Sequence, residues 1–121
     1  MKYMILIYGD ESGFDKMSGD EAAMREMMAQ WGKYTGAMRE AGVYRSGAGL
    51  MPTRAATTVR VRGARTLSTD GPFAETKEQL GGYYVIEVPD LDEATKWAAR
   101  CPVAAHGSIE LRPVMADAED N

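Results

Sequence analysis

The chain has 121 residues, 45% hydrophobic and 26% charged, the balance of one soluble globular domain rather than a disordered segment. Its formal net charge of −4 argues against a nucleic-acid partner, which would need a basic face against phosphate. The longest apolar run, Met4 to Tyr8, and the lone cysteine, Cys101, exclude a bilayer span of roughly 20 residues, a secretory signal core and an intramolecular disulfide, so a cytoplasmic protein without a membrane partner is expected.

Lys2 to Tyr8 predicts a strand. Tyr3, Ile5 and Ile7 alternate with Met4, Leu6 and Tyr8, and both sets are apolar, so this strand needs cover on both faces. Gly9 to Lys16, rich in Asp, Glu, Ser and Gly, reads as a loop. Ser18 then opens a helix, with Glu21 completing an S-x-x-E capping box. Met24, Met27, Met28, Trp31, Tyr34 or Thr35, and Met38 recur every three or four residues as one apolar stripe. A methionine-rich stripe suits a binding groove, but a lone amphipathic helix must first cover its sheet, so Trp31 is expected buried against it. Gly42 closes the helix.

Val43 to Leu50 is a second strand, dense in glycine. Gly47-Ala48-Gly49 starts like a dinucleotide fingerprint, which Pro52 breaks at its third glycine. Thr57 to Arg62 and Arg65 to Thr69 flank a Gly63-Ala64 turn and form a hairpin. Arg45, Arg54, Arg60, Arg62 and Arg65 stand in a stretch without acids; they could receive an anionic ligand, or simply charge an exposed ribbon against edge pairing. Tyr83 to Val88 is the next strand. Asp90 starts a short helix with Ala94, Trp97 and Ala98 on its apolar side, and Ile109 to Pro113 is the last strand.

This order predicts an α+β fold: a ferredoxin-like subunit with an antiparallel sheet and two helices on one face. One domain occupies 1–115. Residues 116–121, with Asp117, Glu119 and Asp120 and no base, are expected to form an acidic, flexible tail. Helices on one face leave the other bare. A second copy is the economical cover, so the expected partner is the chain itself, as a homodimer.

The densest polar segment runs from Asp70 to Tyr84. It gathers Asp70, Glu75 and Glu78 with Lys77 and the Gly81-Gly82 pair. Carboxylates, an amine and an approachable backbone can bind a small polar molecule or move a proton. Asp70-Gly71-Pro72 is equally good turn chemistry. Asp70, Glu75 and Lys77 are the candidate catalytic residues, with no roles assigned. Tyr8, Gly81, Gly82, Tyr83 and His106 are candidate ligand contacts. His106 is the lone histidine and gives C-x4-H with Cys101. A structural zinc site needs about four such ligands, so no metal is expected. No cofactor is expected either.

Asp70-Gly71-Pro72-Phe73-Ala74-Glu75-Thr76-Lys77-Glu78, continued by Gly81-Gly82-Tyr83-Tyr84, resembles the signature of the YCII-related family in its DGPF-domain branch. Met1 to Met4 with Ile7-Tyr8, and Ala98 to Pro102 through Gly107 to Val114, are similar to the family as well, so the resemblance covers nearly the whole chain. It implies a bacterial protein of unknown function and a dimeric α+β barrel of ferredoxin-like subunits. The enzymatic role suggested for some relatives rests on a His–Asp pair with its His in the first helix. No His stands between Ser18 and Gly42 here, so that catalysis does not carry over. The branch is often encoded beside extracytoplasmic-function sigma factors, which makes a non-catalytic regulatory module the alternative to a ligand-binding cleft.

Overall fold

The first strand, β1 (Lys2–Gly9), runs through the middle of a sheet, the position its two apolar faces demand. It is followed by α1 (Glu11–Met17), α2 (Glu21–Glu40), β2 (Tyr44–Gly49), a 3-10 turn (Thr53–Ala55), β3 (Thr57–Arg62), β4 (Arg65–Asp70), β5 (Gln79–Glu87), α3 (Leu91–Ala99) and β6 (Ser108–Pro113). The structure, a computed structural model, describes residues 1–115; the tail expected at 116–121 lies outside them. Four strands form one sheet in the order β2-β5-β1-β6, and β3-β4 form a separate ribbon. All pairings are antiparallel. The arrangement is α+β and compatible with a ferredoxin-like fold.

The core lies between the sheet and two helices. Tyr3, Ile5 and Ile7 are buried with Tyr84 and Ile86 of β5, Tyr34 and Met38 of α2, and Ala94 and Trp97 of α3. Cross-strand pairing sets Ile5 beside Tyr84 and Tyr3 beside Ile86. Ile5, Met38 and Ile86 lose nearly all contact with solvent, each contributing about 1.5–3 kcal/mol by burial. The Tyr34 hydroxyl donates to the Trp97 carbonyl over 2.7 Å, joining α2 to α3.

Helix ends follow side-chain chemistry. Asp90 caps α3 by accepting from the Glu93 amide at 2.9 Å. At the end of α2 the Gly42 amide donates to the Arg39 carbonyl and the Val43 amide to the Met38 carbonyl. This paired closure needs Gly42 at φ 76°, in the left-handed region.

Three expectations are corrected. The segment read as a loop, Gly9 to Lys16, is largely helical: Asp10 caps α1 by accepting from the Ser12 amide at 2.9 Å. No residue of α1 is buried, so it carries no apolar period by which to be found. The long helix starts at Asp20, which accepts from the Ala23 amide at 3.1 Å. Ser18 instead closes α1, its hydroxyl donating to the Asp15 carbonyl at 2.8 Å. The described residues therefore hold three helices rather than two. Finally, β5 begins at Gln79 and runs through the glycine pair, where the register steps from Ile7–Gly82 to Tyr8–Leu80 as a bulge at Gly81.

Candidate functional site

Glycines set the site. At one end of the sheet Gly82 pairs with Ile7 and with Gly49, while Gly47 lies opposite Tyr84. A side chain at Gly49 would point into open space. No bulk therefore rises from this floor to meet the first half of α2. What remains is a cavity of about 480 Å³, within the size range of small-molecule sites. Met27, Met28, Trp31 and Thr35 of α2 form one wall. Phe14 of α1 and Leu50, Met51 and Pro52 after β2 line it too.

The methionine stripe thus divides. Tyr34 and Met38 pack in the core, as a sheet-covering face should. Further towards the N-terminus, Met28 is 63% exposed and Trp31 is only half-buried, its ring stacked on Tyr84 at 6.3 Å. The expectation of a buried Trp31 is corrected to this extent: it meets the sheet through Tyr84 and otherwise lines the cavity.

A small polar network crosses that wall. The Thr35 hydroxyl donates to the Trp31 carbonyl at 2.9 Å and lies 2.6 Å from the Tyr84 hydroxyl. Because the Thr35 proton is committed, Tyr84 is the donor of the second bond. Burial pushes the Tyr84 phenol up.

At the rim, α1 is held by polar bonds. The Glu11 amide donates to Gln79 Oε1 at 3.0 Å. The Glu11 carboxylate accepts from the Thr53 amide at 2.8 Å and from its hydroxyl at 2.7 Å. Arg54 pairs with Asp15 at 2.9 Å. Asp10 also lines the cavity, its carboxyl held below the ordinary value by bonds from Ser12.

Of the residues singled out from sequence, Gly81 and Gly82 line this cavity. Asp70 does not: it ends β4, exposed, opposite Thr57 in the ribbon. The next residue, Gly71 (φ 94°), is fixed by its amide on the Ala56 carbonyl at 2.7 Å and by the Thr58 hydroxyl on its own carbonyl at 2.7 Å. Those bonds tie the start of the motif back to Ala56 and to Thr58 of the ribbon. Glu75 and Lys77 stand exposed in the following loop and are absent from the lining. Tyr8 and Tyr83 lie on the other sheet face, where the Tyr8 hydroxyl donates to Glu110 at 3.3 Å. His106 is exposed in the turn before β6. Within the ribbon, Arg60, Arg62 and Arg65 share one face with Leu67.

Sequence reasoning passed over Glu11, Asp10 and Phe14, because their segment read as a loop. The signal for the cavity was present in Met27, Met28 and Trp31, whose stripe suited a groove. Among the described residues no three His, Cys, Asp or Glu side chains converge as a metal site. Burial raises the Cys101 thiol, which makes it a poor thiolate. No helix among the described residues is long and apolar enough to cross a membrane.

Comparison with known proteins gives two findings. The model of the YCII-related domain matches residues 1–117. An uncharacterised protein of Rhizobium meliloti (strain 1021) is 44% identical over 118 residues, covering 94% of this chain and 92% of that protein.

Proposed function

The chain belongs to the YCII-related family, and from that premise we propose that it binds a small, largely apolar molecule in the cavity between the sheet and α2. The observation that carries this reading is the glycine floor. Gly49 and Gly82 leave a volume of about 480 Å³ that no side chain of the sheet fills. Methionine and aromatic side chains line it, a surface suited to apolar ligands of varied shape. The ligand first expected was polar and seated near Asp70, Glu75 and Lys77; this lining favours an apolar body, with Gly81 and Gly82 as the motif's contribution.

The uncovered sheet face supports a second part of the proposal, a homodimer. Met4, Leu6 and Tyr83 are half-buried there, on the side away from α2 and α3. A second sheet would cover them and complete a two-sided layer.

The cavity is tested with N-phenyl-1-naphthylamine, a neutral dye that brightens when it leaves water. Gly49→Leu should project a side chain into the cavity without meeting a neighbour. Dye binding should weaken at least tenfold in this variant, with the circular dichroism of the parent retained. Equal brightening in parent and variant would place the dye elsewhere and remove the reading.

A further inference from the structure

We infer that the cavity selects a monocationic amine carried on an apolar or aromatic body. The inference rests on the reading of the cavity as a ligand site and names the chemical class of that ligand. Its first support is charge. The ionised side chains in the lining are Asp10 and Glu11, and no Lys, Arg or His is present in it. An anion entering this volume would lose water and gain no cationic partner, a costly transfer. A cation would find two carboxylates.

The second support is the state of the hydrogen-bonding groups. Gln79 Nε2 gives one of its two N–H groups to the Thr76 carbonyl. The Thr35 and Tyr84 protons are spent on Trp31 and Thr35 respectively. Side-chain donors left in the lining, on Trp31, Tyr44 and Gln79, are neutral. Acceptors are better supplied: the Tyr84 oxygen keeps a lone pair, and the Asp10 carboxylate has more acceptor sites than its bond to Ser12 occupies, while both Glu11 oxygens already accept from Thr53. A ligand that donates fits this lining better than one that accepts.

The third support is aromatic. Trp31, Tyr44, Tyr84 and Phe14 all border the cavity, and ring faces attract cations. One ring already shows this, since the Arg39 guanidinium lies 4.2 Å from the centre of Tyr44. Arg39 is itself outside the lining.

The test uses three molecules with one body and different charge: 4-tert-butylbenzylamine, 4-tert-butylbenzyl alcohol and 4-tert-butylbenzoate. Each competes with N-phenyl-1-naphthylamine on the full chain at pH 7. The amine should displace the dye at a concentration at least tenfold below that of the benzoate, with the alcohol between them. In the double variant Asp10→Asn, Glu11→Gln the ratio of amine to alcohol should fall to about one. Both substitutions keep shape and one acceptor oxygen each, and Asn remains a good cap for α1. If the benzoate competes as well as the amine, or the amine's advantage survives the double variant, the inference is overturned while the cavity reading stands. If neither the dye nor any of the three binds, both fall.

Discussion

Tyr34 holds two helices together with one side chain. Its ring packs in the core and its hydroxyl donates to the Trp97 carbonyl. Tyr34→Phe should cost about 1 kcal/mol at neutral pH, since the bond joining the helices is lost and the Trp97 carbonyl keeps only the Arg100 amide as partner. Burial also pushes the Tyr34 phenol well above its ordinary value of 10.0, and it raises Tyr84 and Cys101 in the same direction. The folded chain therefore keeps protons that the unfolded chain releases. Stability from these groups is complete below the ordinary thiol and phenol values, 9.0 and 10.0, and is lost as pH rises past them. Urea midpoints followed upward from pH 8 should fall beyond pH 9, and Tyr34→Phe should fall less steeply above pH 10. A parent midpoint that stays level to pH 11 would contradict the burial of these groups. Gly47 acts through absence. A Cβ there would stand 2.7 Å from Tyr84 Cδ1 and 2.9 Å from the Tyr83 carbonyl oxygen. Gly47→Ala should cost about 1–3 kcal/mol, the scale of an overpacking change, measured by denaturant titration. Glycine density in this strand was plain in the sequence. That the glycines would face α2 and open a cavity was not, because it depends on which residues of β1 and β5 they pair with.

Helices α1 and α2 differ in what holds them. The second half of α2 is anchored by Tyr34 and Met38, while α1 buries nothing and is tied by Glu11 to Thr53 and by Asp15 to Arg54. The Asp15–Arg54 pair is exposed and contributes little, commonly below about 1 kcal/mol, and the Glu11–Thr53 bonds are only partly buried. Thr53→Val keeps the backbone donor to Glu11 and deletes the hydroxyl. Amide exchange in α1 should quicken, with unfolding free energy changed by less than about 1 kcal/mol. Protection of α1 equal to that around Met38 would show that it is part of the core. The stripe of α2 predicts a graded cost along the helix: Met38→Ala about 2–5 kcal/mol as a fully buried truncation, and Trp31→Ala clearly less, because Trp31 faces the cavity over part of its surface. Periodicity identified the apolar face correctly from Met27 to Met38. It could not say where along that face the sheet would supply partners, and the glycine floor withholds them from the first half. The cap of α2 was misplaced for a related reason. Ser18 and Asp20 are both competent caps by type, and the choice between them depends on α1, whose last turn occupies Ser18.

For the whole molecule, strand identity was legible because β1 is apolar on both sides and β3 and β4 alternate around a turn. The strand order then places β1 and β5 at the centre. It also divides the apolar residues of β1 and β5 into a set that α2 and α3 cover and a set that they do not. Met4, Leu6 and Tyr83 belong to the second set, flanked on β6 by the ion pair of half-buried Glu110 and exposed Arg112. Arg112 holds the Glu110 carboxyl below its ordinary value, so the polar edge stays charged at neutral pH while the middle of the face stays apolar. That pattern, an apolar centre with a charged border, is the anatomy of a protein–protein interface. The proposed homodimer places a second sheet on this face. Light scattering at micromolar concentration should return twice the chain mass. Leu6→Lys puts a charge at the centre of the face, opposite Tyr83, without touching the helical core on the other side of the strand. It should return the single-chain mass with native circular dichroism retained. A parent that scatters as a single chain, or a Leu6→Lys variant that still doubles, would rule out this face as the interface.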